Sequence, residues 1–358
     1  MDYRITPDDR ARFKRCRRQW DFASPHRRDL EPAEIPAAAM SASLKDALAV
    51  YYYPGTWDWQ HGLKQSLVHK ALERSLGEAA GTDALETGRA LVDCYDAWAS
   101  TVDDFAPVKI NHDVDGLVPD PRDPERGLST PNGFAVIYTC RVDLVAVDSA
   151  DEYWVVRHQV VDDWQRLESL IRDEEAVAAC WAWERDYMSM EIAGTIHNEV
   201  RVNGPLEVPS GAHPATTVHA VAQNEPSGGG RSIPQHRRAS AISPPAGPGA
   251  SVDSIEQRVA GVLRRTRIRR GRDEIAAVGA VLSAEAVDMI DAPAVYPTPA
   301  AHCSSCEFSS PCLALFQGAD PEPLLSTHFR RRPAAARPEP RLGQSTWGFG
   351  RGAAPPPW

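Results

Sequence analysis

The sequence predicts an α/β protein in which a mixed sheet is flanked by helices. Three observations carry that reading. Apolar residues recur at helical spacing through FKRCRRQW, SASLKDALAVYY and residues 62–101. The period then falls to two in FAVIYTCRVDLVAVD and YWVVRHQVV, runs rich in β-branched and aromatic residues separated by the turn-like SADE. A helical stretch, DEEAVAACWAWERDYMSM, and another extended one, AGTIHNEVRV, follow.

In chain order, Thr6 is placed to cap a first helix, with Pro7 at its first position and Asp8 and Asp9 in its first turn. That helix sets Phe13, Cys16 and Trp20 on one face. Residues 111–132 are Pro- and Asp-rich and are expected to be a polar loop. The two strand-like runs form an antiparallel hairpin turning near Ser149 to Glu152. Residues 204–251, rich in Gly, Pro and Ser, are expected to be a disordered insertion. Order returns with a basic run, Arg258 to Arg272, expected to be a helix, and with DEIAAVGAVLSAEAVDMI, which ends before Pro293. Residues 1–320 then form one domain and 321–358 a flexible Pro-, Arg- and Gly-rich tail.

A chain of 358 residues buries a sizeable core, and a net charge of −10 gives no overall attraction to nucleic acid. No apolar run is long enough to span a bilayer, and MDYRITPDDR lacks a signal-peptide core. The expected compartment is therefore cytoplasmic and reducing, where close cysteines signify metal ligation before disulfides.

Cys303, Cys306 and Cys312 lie within ten positions of one another. Thiolate metal sites usually take four ligands. Cys94, Cys140 and Cys180 fall inside a helix, a strand and a helix and are expected to be buried. Cys16, on an Arg-rich helix beside aromatic residues, is the candidate fourth ligand, with His302 as its rival. One cysteine near the N-terminus and C-x2-C-x5-C near the C-terminus resembles the iron–sulfur branch of the RecB-like PD-(D/E)XK nucleases. That branch includes the CRISPR-associated adaptation nucleases and the nuclease domains of AddAB-type helicase–nucleases. FKRCRRQWDF is similar to the family's first-cysteine helix, although Arg17 stands where proline is common. The resemblance spans about residues 5–318, the insertion excepted. It implies a restriction-endonuclease-like core whose two ends are joined by a 4Fe–4S cluster on Cys16, Cys303, Cys306 and Cys312. Zinc on the same thiolates is the alternative.

In that family a hairpin carries the metal: an Asp ends one strand, and an acid-x-Lys follows on the next. Together they hold Mg²⁺ or Mn²⁺ and orient water. Asp143 matches the first acid. Arg157 stands at the second acid and Gln159 at the Lys, while Lys45 stands at the upstream His. The helix after the hairpin lacks the usual Gln-x3-Tyr pair, with Glu175 and Trp181 nearby. Arg has no lone pair for a metal and keeps its charge. The resemblance thus implies a degenerate site, with Asp143 as a remnant, and a protein that binds DNA or serves as a subunit in DNA processing, repair or defence. Two alternatives stand beside it. One is an active Mg²⁺- or Mn²⁺-dependent exonuclease using a migrated Glu174 or Glu175, or His158 or His197. The other is a redox-responsive iron–sulfur regulator.

For nucleic-acid contacts the candidates are Arg264, Arg265, Arg267, Arg269 and Arg270, since Arg pairs bidentately with phosphate. Trp57, Trp59, Trp181 and Trp183 are candidate stacking platforms or core residues. DNA is the expected partner, a protein partner in a DNA-processing complex is possible on the same reading, and no membrane is expected.

Overall fold

A computed structural model describes residues 2–33, 40–77, 81–188, 190–203, 216–218, 255–292 and 294–332. It is a mixed α/β protein whose chain divides into two units, Met1–Ala11 with Pro36–Pro293 and Arg12–Ile35 with Ala294–Trp358.

The first unit is built on an eight-stranded mixed sheet. Its strands are β1 (Tyr3–Ile5), β3 (Phe105–Leu117), β6 (Val136–Asp148), β7 (Tyr153–Val161), β8 (Ile192–Arg201), β9 (Thr216–Val218), β10 (Ile255–Ala260) and β11 (Leu263–Arg269). The order is β1-β6-β7-β8-β11-β10-β9, with β3 also on β6. β1 with β6, and β7 with β8, are parallel; the remaining pairs are antiparallel.

On one face pack α3 (Met40–Tyr51), α4 (His61–Leu76) and α5 (Gly81–Val102). Leu44, Leu48, Tyr51, Leu72, Leu91, Tyr95 and Trp98 meet Leu144, Trp154, Val156, Ile196 and Leu263 of the sheet in one core. Each such burial contributes about 1.5–3 kcal/mol. Against β3, β6 and β8 packs α7 (Glu174–Asp186), which in turn meets α8 (Arg272–Asp291). Ala176 through Trp183 are all buried, so the middle of this helix is apolar all round and enclosed, with charged residues only at its ends. Trp181 and Trp183 are therefore core residues.

The central hairpin forms as expected. Asp148 Oδ1 accepts from the backbone N–H groups of Ala150 and Glu152 at 2.9 and 3.1 Å, closing the turn. The first-helix cap also holds, Asp9 N–H donating to Thr6 Oγ1 at 3.2 Å. Two expectations are corrected. Residues 111–132 are not a loop: β3 runs through to Leu117, and β4 (Pro119–Asp120) and β5 (Asp123–Gly127) form a small hairpin. The basic run is likewise a hairpin, β10–β11, turned by Gly261 at φ 56° and Val262. Alternation of its side chains between the two sheet faces, each lined with acids, overrides its helical propensity. The insertion expected at 204–251 lies outside the described residues, apart from β9.

The second unit joins a segment from early in the sequence to one from late in it. It holds α2 (Arg17–Ala23), β2 (Leu30–Pro32), α9 (Ser309–Phe316), α10 (Glu322–His328) and β12 (Phe329–Arg331). β12 pairs antiparallel with β2. Phe308 stacks on Phe329 with centroids 4.7 Å apart and meets Phe22 at 5.2 Å, and Leu325 is buried beside them. Residues 321–332 are thus ordered structure, not tail, because Leu325 and Phe329 complete this small core. The helix expected through Phe13, Cys16 and Trp20 breaks at Cys16, which caps α2, while the preceding helix α1 is Pro7–Arg15. All three residues are nevertheless buried. Among the described residues no helix is long and apolar enough to cross a membrane.

A candidate site at a forked hairpin

β6 is a long strand whose pairing with β7 runs only from Val147↔Tyr153 to Leu144↔Val156, while β1 pairs with it at Val136–Tyr138. Between those segments the hairpin forks, and Asp143 sits at the fork. Its Oδ2 accepts the His158 N–H from β7 at 2.9 Å and lies 3.5 Å from Lys45 Nζ on α3. Asp143 thus caps a strand amide and pairs with a cation.

Arg157, on β7, turns its guanidinium between two acids at the start of α7. Nη1 donates to Asp173 Oδ2 at 2.6 Å, and Nη2 lies 2.9 Å from Glu175 Oε2. Burial pulls the guanidinium pKa down, but Asp173 and Glu175 outweigh it, so it is held above its ordinary value. Asp173 is itself the N-cap of α7, its Oδ1 accepting from Ala176 N–H at 3.0 Å. Glu174 points elsewhere, 3.7 Å from Arg10. The site therefore joins Asp143, Arg157, Lys45 and Glu175 and adds Asp173. Asp173 was not among the residues expected from the sequence, and nothing local announces it as a partner of Arg157.

Gln159 stands one strand-step further on, in a second polar row. Gln165 Nε2 donates to Gln159 Oε1 at 3.1 Å, and Gln165 N–H donates to Glu199 Oε1 at 3.0 Å. Both strand histidines are enclosed. Burial depresses His158 to a pKa of about 4 and His197 to about 3, so both are neutral near pH 7.

The five β11 and post-β11 arginines are ion-paired inside or along the first unit. Arg264 Nε donates to Glu199 at 2.6 Å. Arg265 donates to Asn198 Oδ1 at 2.8 Å, Asp103 Oδ1 at 2.7 Å and Val102 O at 3.1 Å. Arg267 reaches Asp104 at 3.0 Å, and Arg269 binds Glu152 through both terminal nitrogens. Arg270 holds the carbonyls of Leu170 and Ile171 and the Glu274 carboxylate. Arg264, Arg265 and Arg270 are buried.

In the second unit the four candidate cysteines are unbridged: Cys16 buried, Cys306 and Cys312 half-buried, Cys303 exposed. They share one neighbourhood. Burial lifts the Cys306 thiol, and repulsion from Cys16 and Cys303 adds to it. Burial also lifts Cys312, with Arg18 opposing and Cys16, Cys306 and Cys303 adding. Thr298 N–H points at Cys16 Sγ at 3.5 Å. Among the described residues no three His, Cys, Asp or Glu side chains stand in ready metal-binding geometry. His302 Nε2 is buried without a hydrogen-bond partner. Cys94, Cys140 and Cys180 are buried as expected, and burial raises all three thiols, Cys140 to about 12.

No family model and no curated protein matches the sequence. One solved structure, titled "Crystal structure of SSO0001", is similar over 74% of this chain and 82% of its own, at 10% identity and a TM-score of 0.29. A likeness at that level carries no argument about fold family or function.

Proposed function

We propose that this chain is an iron–sulfur protein of the PD-(D/E)XK nuclease type in which cleavage has been lost, acting as a subunit of a DNA-processing assembly. The observation that carries this reading is the Arg157 guanidinium between Asp173 and Glu175, with Lys45 beside Asp143. Where a nuclease of this type would concentrate carboxylates around a divalent ion, two fixed cations are already paired with the three carboxylates. A second cation entering there meets repulsion that is strong in a half-buried site. The arginines of β11 have acids and carbonyls as partners, which favours a subunit role over one in which that strand grips DNA.

Four thiols in one neighbourhood, from the two sequence ends, suit a soft metal centre, and an N–H directed at a cysteine sulfur is the support such ligands need. Cys16, Cys303, Cys306 and Cys312 would hold it. A 4Fe–4S cluster is the assignment, and its chemistry here is structural. The functional reading is tested by the double exchange Arg157→Asp with Gln159→Lys. Mn²⁺-dependent cleavage of DNA, absent from the parent, is expected to appear. A folded exchange variant without activity would count against the hairpin as a former metal site.

A further inference from the structure

One buried polar atom near Arg157 has no partner. His197 lies directly across from Arg157 in the β7–β8 register, on the same sheet face, and is fully buried. Its Nε2 is 3.2 Å from Thr195 Oγ1, but its Nδ1 makes no hydrogen bond and stands 3.9 Å from Asp173 Oδ2. Either tautomer leaves Nδ1 unsatisfied. As an N–H it is too far from the carboxylate; as a lone pair it faces another acceptor. Asp173 Oδ2 already accepts from Arg157 at 2.6 Å, so only Nδ1 is orphaned, and an ion that replaced the guanidinium beside Asp173 could take the Nδ1 lone pair as well. Two donors each about 2.1 Å from one ion lie within about 4 Å of each other.

We propose that Asp173, Glu175 and His197 form a latent divalent-cation site, and that Arg157 is its tethered occupant. Both carboxylates converge on the one guanidinium, at 2.6 and 2.9 Å. Their two negative charges equal the charge of a divalent ion, and the imidazole supplies a neutral third ligand. With Arg157 in place its nitrogens occupy both carboxylates; without it those carboxylates and the imidazole are open to an ion. The donor set, two oxygens and one imidazole nitrogen, selects Mn²⁺ or Zn²⁺ over Mg²⁺. Asp143, which pairs with Lys45 of α3, is not one of the site's ligands. The inference rests on the reading of Arg157 as a built-in cation, but it can fail alone. In that case wild type stays inactive on DNA and only the variants below disappoint.

The test is a Mn²⁺ titration of metal-stripped wild type, Arg157→Ala and Arg157→Gln, following the EPR signal of the free hydrated ion. Gln keeps an amide donor for one carboxylate and so guards against loss of fold, which circular dichroism monitors. Wild type should show no stoichiometric site. Each variant should take up one Mn²⁺ per chain, at least about tenfold more tightly than Mg²⁺. Adding His197→Ala to Arg157→Gln should weaken uptake at least about tenfold. The assignment is overturned if neither variant binds Mn²⁺, if His197→Ala leaves the affinity unchanged, or if Mg²⁺ binds as well. It is also overturned if both variants unfold and Mn²⁺ does not restore them, because a three-ligand site should recover on loading.

Discussion

Arg265→Ala should destabilise the first unit by about 3–5 kcal/mol, one of the largest effects of any single change in the chain. The side chain is 4% exposed and its partner Asp103 is 7% exposed, so removing the guanidinium strands a carboxylate in the interior. The loss spreads. Asp103 also accepts from Tyr52 at 3.0 Å, Tyr52 is 2.9 Å from Tyr95, and Asn198 bridges Tyr95 to Arg265. Arg265 further lies 5.1 Å from the Trp98 ring and 4.9 Å from that of Phe105, contacts that vanish with it. Arg269→Ala is the control. Its pair with Glu152 is half-exposed and should be worth about 1 kcal/mol or less. Denaturant melts of the two variants separate the cases. Equal small losses would mean that Arg265 is not an internal support but a surface cation available to a partner.

Cys16→Ala should remove the proposed cluster and cost about 3–5 kcal/mol of stability in the second unit. Cys16 and Cys303 are about 290 residues apart, so a shared metal closes a very long loop and restricts the unfolded chain correspondingly. Wild type should carry about four iron and four sulfide per chain and absorb in the visible. The variant should be colourless. Cys94→Ala, at a buried thiol in the other unit, should keep full iron. Iron retained by Cys16→Ala would dismiss it as a ligand. One zinc per chain in a colourless wild type would keep the ligands and replace the metal.

Much of this was legible in the sequence because it depends on local pattern. The β6–β7 hairpin announced itself by its two-residue period and the turn near Ser149 to Glu152; α7 and α8 did so by helical period, and Thr6 by capping chemistry. That Arg157 and Gln159 depart from the pattern of the family the sequence resembles was visible too. What stayed hidden is long-range. Arg258–Arg272 carries seven arginines in fifteen positions, and as a lone segment it suits a solvated helix. Only the acids at 103, 104, 152 and 199, brought to both faces of one strand, make it a buried β-strand. Likewise Phe329 reads as tail until Phe22 and Phe308 are beside it. The contact of Asp173 with Arg157 and its approach to His197 depend on α7 reaching the sheet.

The central claim is that built-in cations have taken the place of catalytic metal. The measurement that tests it most directly is degradation of single- and double-stranded DNA by purified wild type and by Asp143→Ala, each with Mg²⁺ and with Mn²⁺. The account predicts no cleavage above background in either protein, so that Asp143→Ala changes nothing. Mn²⁺-dependent degradation by wild type that Asp143→Ala abolishes would contradict it, and would make Asp143 a working metal ligand despite Lys45 and Arg157.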